Sequence, residues 1–257
     1  MTNISNADLF SYLIAEAEHP FSGWDFSYIT GTERMVDAPL LWSYTNHVIW
    51  AKRDVQMMLD MGTGGGERLA GLQPLPAQTW ATEGYPPNVL LARQRLEPLD
   101  VKVVDISKDN QHLPFEDNKF DLIINRHEYY APREVLRILK PGHQFITQQV
   151  GSENAANLNA LLGATDYPSA TWTLERAVRE LQEVGLRIVV QKEDHPITRF
   201  FDVGAIVYYL KAIPWQVPNF SVEKYFDKLV AIHNMIQRQG YVDTHNHRFL
   251  IIAERVV

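Results

Sequence analysis

Asp60-Met61-Gly62-Thr63-Gly64-Gly65-Gly66-Glu67 is the stretch of this chain whose residue types and spacing hold the most chemistry. Glycines there let the backbone turn tightly and let a ligand touch the main chain. They also leave amide donors at a helix N-terminus, aimed at a negative group. On composition alone a plain glycine-rich turn would read the same way. Two nucleotide patterns do not fit. Counted from Gly62, the dinucleotide fingerprint G-x-G-x-x-G puts Glu67 in sixth place, where a carboxylate crowds and repels a pyrophosphate. A Walker loop needs Gly-Lys-Ser/Thr after four spacers, and the chain has none. What remains is D-x-G-x-G-x-G, carried by Asp60, Gly62, Gly64 and Gly66. The chain contains no cysteine. Thiolate nucleophiles, Cys-ligated zinc, iron-sulfur clusters and redox dithiols are therefore excluded.

This pattern resembles motif I of the class I S-adenosylmethionine-dependent methyltransferases, with a type 11-like domain. The likeness continues through Leu113-Pro114-Phe115 to Phe120-Asp121-Leu122, and through Arg133 to Lys140-Pro141-Gly142, where His143 departs from the commoner second glycine. Together these motifs cover residues 55–150. The resemblance implies S-adenosyl-L-methionine as cofactor. Gly62, Thr63, Gly64 and Gly66 would shape its methionine side, and Asp60 would lie near its amino end. Glu83, 21 residues after Gly62 and followed by Gly84, stands at the interval where a carboxylate grips ribose hydroxyls. Asp105 and Ile106 would meet the adenine, and Asn125 and His127 would border the site. The cofactor carries no phosphate, which suits the acids.

In the family the transferable methyl lies beside the ends of the fourth and first strands, so Asn125 to Tyr130 should border the reaction. His127 is the first candidate base, since an imidazole titrates near pH ~6.5. It could equally bond the cofactor or order the loop. Glu128 is the second candidate. Substrate contacts are expected from Tyr129, from Gln148 (only one of Gln148 and Gln149 facing the pocket) and from the aromatic positions Phe21, Trp24 and Trp215. No metal is expected, since His233, His245 and His247 read as surface histidines. The absent cysteines rule out cytosine-5 chemistry and a zinc-bearing rRNA module, and Asn125-Arg126-His127-Glu128 is not the Asn/Asp-Pro-Pro-Tyr turn of amino-methylating DNA enzymes. The reading is methyl transfer to oxygen or nitrogen of a small-molecule acceptor. A non-catalytic cofactor-binding sensor or partner subunit, and an RNA methyltransferase, stay open as alternatives.

The elements that must position these residues alternate. Strands are expected at 55–61, 78–83, 102–105, 120–125, 144–150, 186–191 and 248–257. Helices are expected at 6–18, from Asp37 or Ala38 to about Lys52, and at 67–72, 87–96, 133–139 and 174–184. Two more follow, one capped by Asp202 (a stretch that also reads as a strand) and one running from Ser221 to about Gln239. The class is α/β: a Rossmann-like seven-stranded, mostly parallel sheet with helices on both faces and an N-terminal helical cap. By sequence order the chain divides into a cap at 1–54, a cofactor-binding core at 55–150, and a C-terminal part with substrate-side insertions at 151–257. The net charge of −7 disfavours nucleic acid as partner. The first 30 residues lack a signal-peptide pattern and no run is long and apolar enough for a membrane span, so a cytoplasmic location is expected; oligomeric state is not legible.

Overall fold

A computed structural model describes residues 4–22, 25–164 and 171–256 of the chain. Packing groups the chain into two compact units. One takes Met1–Leu40, Ser152–Thr171 and His195–His247, the other Leu41–Gly151, Trp172–Asp194 and Arg248–Val257. The division by sequence order at 54/55 and 150/151 does not follow this interleaving.

The strands are β1 (Met35–Asp37), β2 (Met57–Met61), β3 (Gln78–Glu83), β4 (Val101–Asp105), β5 (Phe120–Arg126) and β6 (Leu139–Val150), then β7 (Leu186–Asp194), β8 (Ile197–Phe200), β9 (Val242–His245) and β10 (Arg248–Arg255). Seven of them form one sheet in the order β4-β3-β2-β5-β6-β10-β7. β2 to β6 pair parallel, while β10 runs antiparallel between β6 and β7. β5 shows why the parallel centre forms: Phe120, Leu122, Ile123 and Ile124 are all buried, as a strand covered on both faces requires. The order reverses between β2 and β5, and a crevice at such a switch point is where open α/β sheets bind ligands.

Two helices support the ligand-facing strands. Pro86–Leu96 starts on a proline, whose missing N–H costs nothing there, and buries Val89, Ala92 and Leu96. The helix expected from Asp37 or Ala38 instead runs Tyr44–Ala51. Asp37 is taken by β1, in register with Thr198, and the Ser43 hydroxyl accepts the Asn46 N–H at 3.1 Å to start the helix late. The helix after the glycine loop is only Glu67–Ala70. β6 begins five residues earlier than expected, taking in Lys140-Pro141-Gly142.

The other unit holds a second, three-stranded sheet, β1-β8-β9, and the expected helix Asn6–Glu18. The ambiguous stretch after Asp202 is the helix Val203–Ala212, buried at every position except Lys211. Asp202 starts it by accepting the N–H groups of Gly204 at 2.7 Å and Ala205 at 3.2 Å. The same carboxylate receives the Tyr12 hydroxyl at 2.8 Å and pairs with Arg34. Gly204 is required beside it, because a Cβ there would stand 2.3 Å from the Tyr12 oxygen. Asp202→Ala removes a cap and one of the two carboxylates paired with Arg34, which keeps Glu16 at 3.0 Å, and should cost about 2 kcal/mol. Asp202→Asn should recover about 1 kcal/mol of that through the cap. Urea unfolding midpoints check both. Among the described residues no helix is long and apolar enough to cross a membrane.

Candidate functional site

β2 delivers the chain into the glycine loop, where Gly62, Gly64 and Gly66 have φ of 70°, 62° and 83°. Left-handed backbone at alternate positions is what glycine permits and other residues resist. The loop is held from β3. Thr63 N–H donates to the Thr82 carbonyl at 2.9 Å, and Gly64 N–H to Glu83 Oε2 at 2.6 Å. The other oxygen of Glu83 accepts Tyr85 N–H at 2.8 Å. The carboxylate is 4% exposed, so burial raises its pKa while these donors oppose the rise. A carboxylate has about four lone-pair sites, so these donors leave capacity for a ligand's hydroxyl. Asp60 lies just behind the loop, and its pKa is pushed up to about 6, mainly by burial; Thr63 opposes the rise and the Glu83 charge adds to it. No ion pair reaches Asp60 among the described residues. The Thr63 and Tyr44 hydroxyls are buried without a hydrogen-bond partner.

Beyond β3 the Ile106 N–H donates to the Glu83 carbonyl at 3.0 Å, which sets Ile106 beside Gly84. Asp105 is exposed, and the Ser107 hydroxyl and then the Ser107 N–H, which donates to it at 2.8 Å, lower its pKa. A cleft lined by Gly62, Gly84, Ile106, Leu113, Glu128 and Tyr129 joins these pieces, with about 40 Å³ of free space. That is room for a few waters and too little for a nucleoside. Two side chains fill it. Glu128 lies on Gly62, so that a Cβ on the glycine would come within 2.1 Å of its Cγ. Tyr129 reaches across to Gln111, its hydroxyl donating to Oε1 at 3.0 Å. Gly62→Ala combines this collision with left-handed strain. It should cost about 1–2 kcal/mol of stability and narrow the cleft further, as thermal unfolding would show.

Asn125 is locked inside the strand ends. Its Nδ2 donates to the Met61 carbonyl at 3.2 Å, and its Oδ1 accepts the Thr147 hydroxyl at 2.8 Å and Gln149 Nε2 at 2.6 Å. Gln149 is thereby committed inward. Gln148 turns the other way, as strand alternation requires. Its Oε1 accepts the Trp42 indole N–H at 2.9 Å and its Nε2 lies 3.0 Å from His127 Nε2. An indole nitrogen only donates, which fixes the Gln148 amide; His127 Nε2 must then accept, and the imidazole proton sits on Nδ1. His127 itself has a left-handed φ of 60° and a pKa well below the usual imidazole value, through desolvation and the nearby Arg126, Arg248 and Arg68. It is a neutral group with its basic nitrogen already engaged. Burial raises the pKa of Glu128, and Tyr129 N–H opposes the rise.

The sheet unit thus brings together Asp60, the glycine loop, Glu83, Gly84, Asp105, Ile106, Asn125, His127, Glu128, Tyr129 and Gln148. Phe21 and Trp215 belong to the other unit, where Phe21 packs against Phe26 and Tyr208. Trp24 lies outside the described residues. His247 is buried there, with Glu153 and His195 offering atoms within 4.8 Å of it. Its Nδ1 accepts the Glu153 N–H, which commits that lone pair within the protein. Sequence reasoning missed Trp42 and Tyr44, and it gave Arg126 no role of its own although the residue lies in the segment 125–130 expected to border the reaction.

Residues 59–147 match a family model described as a methyltransferase domain. No curated protein matches the chain at a significant level. Among solved structures, a candidate methyltransferase from Bacillus halodurans C-125 superposes with a TM-score of 0.61 at 19% identity, covering 83% of this chain and 97% of its own. Geranyl diphosphate methyltransferase in complex with SAM superposes at 0.52 with 14% identity, covering 95% of each chain. The cyclase SpnF reaches 0.53 at 17% identity, covering 83% of this chain and 80% of its own. At these identities the likeness establishes the fold, and a cyclase among the neighbours shows that the fold does not dictate the reaction.

Proposed function

Since residues 59–147 form a domain of the class I methyltransferase family, we propose that the protein binds S-adenosyl-L-methionine and transfers its methyl group to oxygen or nitrogen of a small-molecule acceptor. The observation that carries this is the buried Glu83 carboxylate, tied to Gly64 of a loop with three left-handed glycines, next to a buried Asp60 that has no ion pair among the described residues. Acids in these places suit a ligand with ribose hydroxyls and an ammonium, and would repel a pyrophosphate. The buried Thr63 hydroxyl beside Asp60 adds a polar group at the same end.

The chemistry supplied by the bound cofactor is an electrophilic methyl group on a sulfonium. The protein's part is alignment, exclusion of water and acceptance of a proton where the acceptor carries one. Glu83 would receive the ribose hydroxyls, Asp60 would meet the ammonium, and Ile106 and Asp105 would border the adenine. Glu128 and Tyr129 must swing out of the cleft to admit the nucleoside. His127, neutral and held through Nε2, positions the loop and does not take the proton. Glu128, with its pKa raised, is the group placed to accept it once it leaves Gly62.

S-adenosylhomocysteine at 100 times its dissociation constant should stabilise the protein by ~2.7 kcal/mol. Absence of any thermal shift with either nucleoside would end the proposal. Transfer of labelled methyl into cell extract, before and after ribonuclease, then separates metabolite from RNA acceptors.

A further inference from the structure

The ends of the sheet's strands sort by charge. On one side of the switch point, β2 carries Asp60 one residue before its end and β3 and β4 close with Glu83 and Asp105; on the other, β5 closes with Arg126 and β10 opens with Arg248. Register puts Arg126 opposite Gln148 and Arg248 opposite Val150. Gln148 and Val150 are two residues apart, so both arginines rise from one face of the sheet, flanking β6. Asp60 pairs with Ile124, two residues before Arg126, and shares that face.

Arg126 is half-buried, and its guanidinium has no ion pair or hydrogen bond among the described residues. Burial acts on it first, then the charges of Arg68 and Arg248 with the Tyr44 hydroxyl between them in strength, and Asp60 last; its pKa falls to about 10. Arg68 is anchored nearby, donating to the Thr45 hydroxyl at 3.2 Å. The Tyr44 hydroxyl is buried without a hydrogen-bond partner. A partly desolvated cation flanked by like charges and an idle hydroxyl is unfavourable when bare, and an anion relieves both at once. The acids of β2 to β4 already account for the cationic and hydroxyl-bearing ends of the proposed cofactor. What is left at the cationic half is a seat for its reaction partner.

We infer that Arg126 and the Tyr44 hydroxyl recognise an anionic group, a carboxylate or phosphate, on the methyl acceptor. This rests on the methyltransferase reading above. The guanidinium fork suits a two-oxygen anion, Arg248 and Arg68 reinforce the field, and a neutral or cationic acceptor is disfavoured.

The test uses the full-length protein and inorganic phosphate as probe, with chloride at equal ionic strength as control. Calorimetry should show phosphate binding both with and without saturating S-adenosylhomocysteine. Arg126→Gln should weaken phosphate at least tenfold while changing S-adenosylhomocysteine affinity less than twofold. Tyr44→Phe, which removes one oxygen, should weaken phosphate a few-fold and guards against misfolding of the arginine variant. Equal phosphate affinity in Arg126→Gln and wild type overturns the inference. So does displacement of phosphate by S-adenosylhomocysteine, because the seat would then belong to the cofactor's own carboxylate. If S-adenosylhomocysteine fails to bind at all while phosphate binding still depends on Arg126, the methyltransferase reading falls and the anion seat stands.

Discussion

Glu83→Ala should weaken S-adenosylhomocysteine binding by about thirtyfold or more and cost the free protein about 2 kcal/mol. Two backbone donors, the buried Gly64 at 2.6 Å and the part-buried Tyr85 at 2.8 Å, rely on this one side chain. Hydrogen bonds to a charged acceptor contribute about 1.5–3 kcal/mol each, and losing the acceptor leaves both N–H groups unsatisfied. Part of that loss falls on folding, because the loop ties β2 to β3 through it. The rest falls on binding, because the ligand's hydroxyls lose their partner while the glycine loop loses its brace. About 2 kcal/mol on the binding side is a factor of about thirty. Glu83→Gln should do little better despite its shape. Its single carbonyl oxygen can serve Gly64 or Tyr85, and whichever it leaves faces an NH₂ donor head-on. Calorimetry with S-adenosylhomocysteine and urea denaturation of the free protein separate the two parts. Wild-type affinity in Glu83→Gln would show that the carboxylate is a fold brace alone.

The loop that Glu83 braces was legible because its information is local. A strand with Asp60 next to its end, glycines at 62, 64 and 66, and a carboxylate one crossover later are patterns that a parallel sheet turns directly into neighbours. The order of strands and helices followed from the same alternation. What stayed hidden depends on packing between distant segments. β1, β8 and β9 are three or four residues long and stabilise one another only across the fold, so no periodicity could mark them. His127 reads as a base from its residue type alone. Its commitment to Gln148 appears only once Trp42, 85 positions earlier, fixes the amide. Arg126 and Tyr44 converge in the same way, from positions 82 residues apart. The interleaving of the two units has the same origin. The chain leaves the sheet after Gly151 and Asp194 and returns at Trp172 and Arg248, with no composition change to announce it.

Asp60→Asn should make the ligand-free protein more stable and the liganded protein harder to form. The Asp60 carboxyl has its pKa raised from 3.8 to about 6, with burial the largest cause and Glu83 adding to it against Thr63, Arg68 and Arg126. Between pH 4 and 6 the folded state therefore holds more protons than the unfolded chain. Stability falls as pH rises through that window and stays lower above it. At 1.36 kcal/mol per unit the shift corresponds to about 3 kcal/mol, an upper bound on what the buried charge costs at neutral pH. Asparagine removes the charge while keeping a side-chain oxygen beside the Thr63 hydroxyl. Unfolding free energy at pH 7.5 should rise by about 1–3 kcal/mol, and the decline between pH 4 and 6 should flatten. Binding should move the opposite way. An ammonium beside Asp60 loses its counter-charge, so S-adenosylhomocysteine affinity should drop about tenfold or more. In the wild type the same affinity should weaken as pH is lowered below about 6, because binding a cation must then compete with binding a proton. Titrating both proteins with S-adenosylhomocysteine at pH 5.5 and 7.5 gives the decisive contrast. If the wild type and Asp60→Asn share one pH dependence, Asp60 is not the group that meets the ammonium.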